Sequence, residues 1–222
     1  LNETFYIETL GMKVLLEESA FLSLGDQTGL EKLVLEEAPS MRTRKVEGRK
    51  KLAKLVIKVE NPLEIEGLLS KTDSIHRLYK GQNGYAFEIY SPEDDLILIH
   101  AEDDRASLVE VEENPEFQTD LESISLSKFE ISMELHLPTD VESFLALSKI
   151  GASLDFIPAQ GQDLTVDNTV TWDVSMLKFL VNELDIASLR QKFESTEYFI
   201  PKSEKFFLCK DRNNVELWFE EV

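Results

Sequence analysis

A predicted hairpin in the first half of the chain brings a glutamate and a histidine together. Residues 85–90 and 96–101 both have the β-branched and aromatic composition of strands, and the polar turn between them contains proline and aspartate. A turn of five residues sets Glu88 opposite Leu98. Because side chains alternate along a strand, His100 then lies on the same face as Glu88. A carboxylate and an imidazole on one face are groups that a small-molecule site uses.

Three further side chains extend this group. Lys54 and Lys58 share one face of an alternating run, and Tyr90 follows Glu88 on the same side of its strand. The predicted ligand-binding face therefore combines acidic, basic and aromatic groups. In the alternative interpretation, Glu88 and His100 form an internally satisfied polar pair that holds no ligand. The sequence leaves both interpretations open.

Two hydrolase signatures do not occur in the sequence. It contains no H-E-x-x-H zinc motif and no G-x-S-x-G nucleophile elbow. The single cysteine, Cys209, lies in an apolar run and is interpreted as a buried structural thiol. Serine, histidine and aspartate side chains can still meet in space without a motif. Catalysis therefore stays open, while no catalytic residue is assigned.

The composition is that of a globular protein with a strong negative charge. Of the 222 residues, 42% are hydrophobic and 30% are charged. The formal net charge of −20 repels phosphate backbones and anionic lipid headgroups, so we expect neither a nucleic-acid partner nor a membrane partner. A lone cysteine makes the reducing cytoplasm the default location. A surface or secreted location stays open because the sequence begins without methionine, and the oligomeric state is undetermined.

A basic segment at residues 42–51 contrasts with this acidic background. Arg42, Arg44 and Lys45 are candidates for contact with an anion or an acidic partner, because their side chains donate charged hydrogen bonds. A solvated loop is the alternative interpretation of the same residues.

A repeated order of helices and strands positions these residues. In the first half, helices are predicted at 1–10 and 62–69, and strands at 12–16, 20–24, 30–36, 52–59, 75–79, 85–90 and 96–101. In the second half, helices are predicted at 140–150 and 186–194, and strands at 129–137, 154–157, 164–166, 172–181, 206–210 and 215–220. Such self-similarity indicates internal repeats. We expect one domain at 1–104, an acidic linker at 105–124 and a second domain at 125–222.

Several segments resemble known families. Residues 3–12 are similar to the F-Y-x-x-x-L-G-F signature of the glyoxalase or vicinal-oxygen-chelate superfamily, and residues 59–61 are similar to the end of its first strand. Four segments resemble the streptococcal CppA family, which is named as a complement-degrading proteinase; they are residues 39–48, 80–88, 171–175 and 215–219. The resemblance implies an α+β fold of tandem βαβββ modules that form curved mixed sheets in two domains. It also implies that the first strand of the first module lies upstream of Leu1.

The resemblance bears on metal binding as well. The superfamily takes its metal ligands from the first and last strands of paired modules, and the matching positions here are Glu36, Lys54 and Leu98. Lysine is cationic at neutral pH and leucine has no donor atom, so we expect no metal and no cofactor. Glu36 joins the candidate ligand-binding residues through this resemblance.

Two function classes remain. The first is a non-metal binding or scaffold protein of a streptococcal-type bacterium, whose partner would be a small ligand, a peptide or a host complement protein. The second is a hydrolase, a proteinase acting on a complement component through an unrecognised catalytic site, which is the activity implied by the family name. The unsuitable metal-ligand positions and the absence of those two motifs favour the first class. Whether the protein is an enzyme stays open.

Overall fold

The computed structural model describes residues 1–38, 40–112, 115–119, 124–138, 154–193, 197–211 and 213–222. The fold is α+β, and the chain forms two compact units. The first unit comprises residues 1–37 and 54–133, and the second unit comprises residues 38–53 and 134–222. Within the described residues, no helix is long and apolar enough to cross a membrane.

The first unit begins with a short helix and a three-stranded antiparallel sheet. Helix α1 (Asn2–Thr4) continues into a π-helical turn (Phe5–Thr9) and stops at Gly11, whose φ of +70° suits glycine. A side chain at Gly11 would also meet the carbonyl oxygen of Ile124 at 2.9 Å. The sheet that follows consists of β1 (Lys13–Glu18), β2 (Phe21–Gly25) and β3 (Glu31–Glu36).

A larger mixed sheet forms the body of the first unit. Its strands are β5 (Leu52–Val59), β6 (Arg77–Lys80), β7 (Tyr85–Tyr90), β8 (Leu96–His100), β9 (Val109–Glu110) and β10 (Phe129–Leu137), in the spatial order β10-β5-β8-β7-β6-β9. β5 and β8 are parallel, whereas β7 is antiparallel to both β8 and β6. Helix α2 (Pro62–Leu69) packs against β7 and β8. It begins at Asn61, whose side chain accepts a hydrogen bond from the backbone N–H of Leu63.

The two faces of this sheet have different chemistry because side chains alternate along each strand. One face is apolar and fully buried, and its members include Leu55, Ile57, Phe87, Ile97 and Ile99. The opposite face, here called the mixed face, combines charged, polar and apolar side chains; its members include Lys54, Val56, Lys58, Tyr79, Ala86, Glu88, Leu98 and His100. The mixed face thus carries most of the residues singled out in the sequence.

The second unit contains a four-stranded sheet and a short parallel pair. The pair joins β4 (Arg44–Lys45) to β12 (Thr171–Trp172). The sheet has the order β13-β16-β15-β14, formed by β13 (Met176–Val181), β14 (Tyr198–Phe199), β15 (Phe206–Lys210) and β16 (Glu216–Glu221). Strand β11 (Leu154–Pro158) lies beside β10, which continues into this unit. Helix α3 (Ile186–Lys192) contributes Leu189 to a core that contains Phe207 and Phe219.

Most predicted elements of the first half are confirmed. The strands at 52–59 and 85–90 and the helix at 62–69 have the predicted bounds, as does 129–137 at the start of the second half. The predicted strand at 164–166 is wrong, because these residues form turns that present backbone carbonyls to neighbouring side chains. The predicted helix at 140–150 lies outside the described residues.

The two units do not follow the predicted division at residues 104 and 125. Strand β9 pairs with β6, so the acidic stretch after β8 is partly built into the first unit's sheet. Residues 38–53 belong to the second unit instead of the first. The physical reason is a set of polar contacts from this segment to Asp163 and Asp173. Contacts between residues more than 100 positions apart have no periodic signature in the sequence.

Candidate functional site

Strands β7 and β8 pair in the register that the turn length predicts. Glu88 lies opposite Leu98, and Lys58 of the parallel strand β5 lies opposite His100. The turn between β7 and β8 is held by Ser91, whose hydroxyl accepts the backbone N–H of Asp95 at 3.0 Å. This register brings Glu88 and His100 to the mixed face.

Glu88 is a buried carboxylate with all its partners inside the protein. Its side chain is 4% exposed, and its Oε1 lies 2.7 Å from the Nζ of Lys54. Its Oε2 accepts a hydrogen bond of 3.0 Å from the hydroxyl of Tyr79. A buried carboxylate is stable only when it is paired and hydrogen-bonded, and Lys54 and Tyr79 meet that requirement.

The centre of the mixed face is apolar and covered. Val56, Ala86 and Leu98 form a buried cluster, and the partly buried side chains of Tyr79 and Leu108 pack against it. Leu108 belongs to the segment that follows β8 and continues into β9. This segment therefore closes the centre of the face.

His100 is buried at the end of β8 and is neutral at physiological pH. Its Nδ1 accepts a hydrogen bond of 3.1 Å from the backbone N–H of Glu102, which leaves Nε2 as the protonated ring nitrogen. Burial lowers the pKa of His100 to about 4, and the positive charges of Arg105 and Lys58 add to the effect. A base with this pKa is not protonated near neutrality.

Glu102, which was not among the predicted site residues, organises the neighbouring turn. Its carboxylate accepts the backbone N–H groups of Gln82 at 3.1 Å and Asn83 at 2.7 Å, and it accepts the Ser107 hydroxyl at 3.2 Å. A side chain at Gly81 would lie only 2.3 Å from Glu102 Oε1. Glycine at position 81 therefore allows the turn at Lys80–Gly84 to approach the Glu102 carboxylate closely.

A cleft of about 460 Å³ opens at the C-terminal ends of β5 and β8 in the first unit. Two ion pairs lie at it: Lys58 Nζ is 2.7 Å from Asp103 Oδ1, and Lys128 Nζ is 3.3 Å from Glu60 Oε1. The lining also includes Val59, Pro62, Asn83, Ala101, Phe129 and Glu130. Lys58 is the one predicted ligand-binding residue among these lining side chains.

The remaining predicted ligand-binding residues lie elsewhere in the first unit. Tyr90 lines a separate hollow together with residues of the π-helical turn and of the segment that follows α2, and its ring centroid lies 4.9 Å from that of His76. Glu36 ends β3 in the three-stranded sheet and is exposed. The structure thus brings Lys54 and Glu88 into contact and sets Lys58 beside His100. Tyr90 is exposed at the end of β7, and Glu36 lies in another sheet.

Arg44 of the basic segment has an internal partner. Its guanidinium donates to both carboxylate oxygens of Asp163, at 3.0 and 2.8 Å, and Asp163 also accepts the backbone N–H of Glu47. The hydrogen bonds from Arg44 hold the pKa of Asp163 below its usual range. Arg42 and Lys45 are exposed. Arg44 therefore stabilises the second unit, whereas the side chains of Arg42 and Lys45 lie at the surface.

Lys51 also fastens this segment to the second unit. Its side chain is buried, and its Nζ donates to the carbonyl oxygen of Val166 at 2.6 Å. Asp173 accepts the backbone N–H groups of Lys51 and Leu52. Burial lowers the pKa of Lys51 and raises the pKa of Asp173, and the attraction between the two charges opposes both shifts.

The residues present do not fit the divalent metal that the superfamily resemblance implies. At the matching positions, Lys54 supplies a cation to Glu88 and Leu98 packs into an apolar cluster. An ammonium group repels a metal ion, and leucine offers no lone pair. No group of three or more metal-ligating side chains occurs among the residues that the structure describes.

Comparisons with known proteins agree with the architecture. A family model described as CppA N-terminal matches residues 1–111, and one described as CppA C-terminal matches residues 126–219. A crystal structure of the cppA protein from Streptococcus pneumoniae TIGR4 has 93% sequence identity and a TM-score of 0.94, covering 100% of this chain and 93% of that chain. A putative dioxygenase from Bacillus subtilis subsp. subtilis str. 168 has 14% identity and a TM-score of 0.58, covering 99% of this chain and 80% of that chain.

The dioxygenase likeness, at this low identity, concerns the fold alone. The comparison with curated proteins found no match. The two family models together span both units, and the Streptococcus pneumoniae structure covers the chain from end to end. The chain therefore belongs to the CppA family.

Proposed function

We propose that this protein is a non-metal binding protein whose ligand occupies the cleft at the C-terminal ends of β5 and β8. The observation that carries the proposal is the lining of the cleft. Charged side chains of both signs surround the apolar groups Val59, Pro62 and Phe129. Its volume of about 460 Å³ lies within the range of roughly 300 to 1,000 Å³ that small-molecule sites occupy.

The ligand site is the cleft and not the centre of the mixed face. Glu88 has its partners in Lys54 and Tyr79, and Leu108 lies over the apolar cluster around Leu98. A ligand at that centre would have to displace Leu108 and break a buried ion pair. The cleft ion pairs cost less to open, because Lys58 is 38% exposed and Asp103 is 91% exposed.

His100 fits a binding function better than hydrolysis. A general base that activates a nucleophile needs an unprotonated ring nitrogen within hydrogen-bond reach of a hydroxyl or thiol. His100 Nδ1 accepts the backbone N–H of Glu102, and its Nε2 carries the proton. Neither ring nitrogen of His100 is therefore placed to take a proton from a nucleophile.

The test is a titration of the ¹⁵N-labelled full chain with three tripeptides, Ala-Lys-Ala, Ala-Glu-Ala and Ala-Leu-Ala. We expect at least one of them to shift the amide resonances of Asn83, Ala101 and Phe129. Asp103→Trp should abolish those shifts, because the indole covers the cleft from an exposed position. Glu17→Trp, at an exposed position of β1, is the matched control and should leave the shifts unchanged.

Two outcomes would overturn the proposal. The first is that none of the three tripeptides shifts the cleft amides. The second is that the protein cleaves the tripeptides or a purified complement component, measured by mass spectrometry, and that Asp103→Trp leaves the cleavage rate unchanged. That result would place a hydrolytic site outside the cleft and support the proteinase activity for which the family is named.

A further inference from the structure

We infer that the cleft takes a short peptide segment that carries a lysine or arginine side chain, an inference that rests on the proposed binding function. The cleft is lined by three carboxylates and two ammonium groups, so carboxylates are in excess; the five are Glu60, Asp103, Glu130, Lys58 and Lys128. A cation on the ligand would balance the lining.

Both ammonium groups of the cleft are already engaged. Asp103 accepts a hydrogen bond from Lys58, and Glu60 accepts one from Lys128. The hydrogen bond to Asp103 raises the pKa of Lys58, and the negative charges of Asp103 and Glu130 raise it further. The third carboxylate, Glu130, therefore shares Lys58 with Asp103. An arriving ammonium or guanidinium group would meet this unbalanced carboxylate.

The carboxylates can reach a ligand without a large loss of hydration. The Asp103 side chain is 91% exposed and that of Glu60 is 64% exposed. An exposed ion pair contributes about 0 to 1 kcal/mol, so exchanging one cation for another costs little. The formal net charge of −20 adds a long-range attraction for cationic peptides and repels anionic ones.

One wall of the cleft is fixed before a ligand arrives. Asn83 lines it, and its backbone N–H is bound by the buried carboxylate of Glu102 while its side-chain amide donates to the carbonyl oxygen of Ala101 at 2.9 Å. The opposite side is tied by the backbone N–H of Glu60, which donates to the carbonyl oxygen of Lys128 at 3.0 Å. A rigid wall reduces the entropy lost when a flexible peptide is ordered against it.

The apolar part of the cleft suits the stem of a long basic side chain. Val59, Pro62, Ala101 and Phe129 contribute hydrocarbon surface next to the charged groups. Lysine and arginine bury their methylene groups on such surfaces while the charged end stays with polar partners. A peptide with a short acidic side chain would gain neither contact.

The experiment compares three peptides with blocked ends: acetyl-Ala-Lys-Ala-amide, the same peptide with norleucine in place of lysine, and the same peptide with glutamate. Norleucine keeps the four-carbon chain and removes the ammonium group, with its charge and its hydrogen-bond donors. Dissociation constants are measured from the amide shifts of Asn83 and Phe129 in the full chain. We expect the lysine peptide to bind about tenfold more tightly than the norleucine peptide, and the glutamate peptide to bind least.

A triple variant tests the carboxylates, namely Glu60→Gln, Asp103→Asn and Glu130→Gln. The control variant Glu3→Gln, Glu17→Gln and Glu18→Gln changes the net charge by the same amount at exposed positions that do not line the cleft. We expect the first variant to lose the preference for lysine and the control to keep it. Equal losses in both variants would show that the total charge attracts the peptide without a specific cleft contact, which overturns the inference.

The remaining outcomes separate the inference from the proposed function. If the lysine and norleucine peptides shift the cleft amides with equal dissociation constants, the cleft binds ligands but does not select a cation. If the glutamate peptide binds most tightly, the lysines select an anion and the inference is wrong, while the binding function stands. If no peptide shifts these amides, both are wrong.

Discussion

Acidification should destabilise this protein through His100, and the size of the effect follows from its burial. The imidazole is 3% exposed and sits beside two cationic side chains, Arg105 and Lys58. Folding lowers its pKa from 6.5 to about 4. Between these two values the unfolded chain binds the proton and the folded chain does not, so the free energy of unfolding rises with pH. The stabilisation is complete above pH 6.5 and is lost as the pH falls towards 4.

The magnitude follows from linkage between protonation and folding. Each unit of difference in pKa corresponds to about 1.36 kcal/mol, so the full contribution of His100 is roughly 3 kcal/mol. Between pH 7.5 and pH 4.5 the expected loss is about 2.5 kcal/mol. A loss of this size is a large fraction of the stability of an ordinary domain, which is about 5 to 15 kcal/mol.

The assay is urea unfolding followed by circular dichroism at four pH values between 7.5 and 4.5, with wild type and His100→Asn. The asparagine oxygen can accept the backbone N–H of Glu102 but does not titrate. Carboxylates elsewhere titrate in both proteins, so they cancel in the difference. We expect the advantage of wild type over the variant to shrink by about 2.5 kcal/mol as the pH falls.

His76→Asn provides a control for the loss of an exposed imidazole. The reasoning would be refuted if the difference between wild type and His100→Asn stayed constant over the whole pH range. It would also be refuted if His76→Asn produced the same pH dependence as His100→Asn, because burial would then not be the cause.

Three other predictions concern the first unit. Lys54→Met should lower the free energy of unfolding by about 2 kcal/mol, since Glu88 would be left without its cation. The double change Lys54→Met with Glu88→Leu should recover most of that loss, and additive losses in urea unfolding would contradict this. Gly81→Ala should lower the free energy of unfolding by about 2 kcal/mol, because its new methyl group would displace the Glu102 carboxylate. Gly161→Ala, with its nearest contact at 3.4 Å, should lower it less, and equal unfolding midpoints for the two variants would contradict the prediction. Elemental analysis of purified protein should find no stoichiometric transition metal, and about one tightly held ion per chain would show that the assignment of ligand positions is wrong.

The local pattern of the sequence determined much of the first unit. A period of two predicts the strand at 52–59, and a proline after Asn61 predicts the start of α2. The length of the turn after Tyr90 predicts that Glu88 faces Leu98. These features depend on residues within a few positions of one another, so the sequence alone predicts them. The resemblance to the CppA family also rests on short motifs, and the two family models confirm it.

Only the tertiary structure decided which side chains share a site. The sequence grouped Tyr90 and Glu36 with Lys54, yet Tyr90 lines another hollow and Glu36 ends a strand of another sheet. It did not identify Glu102, because a single acidic residue in an acidic stretch carries no signal of the backbone N–H groups that it will bind.

The same limit applies to the second unit and to the cover of the mixed face. Arg44 was a candidate for an external anion, but its partner is Asp163, 119 positions further along the chain. Leu108 lies in a stretch with little periodicity, and its packing against the cluster of Val56, Ala86 and Leu98 depends on the path by which the chain returns to the sheet. Local periodicity specifies which face of an element a side chain occupies. What meets that side chain is set by the packing of distant segments, where burial and charge pairing are decided together.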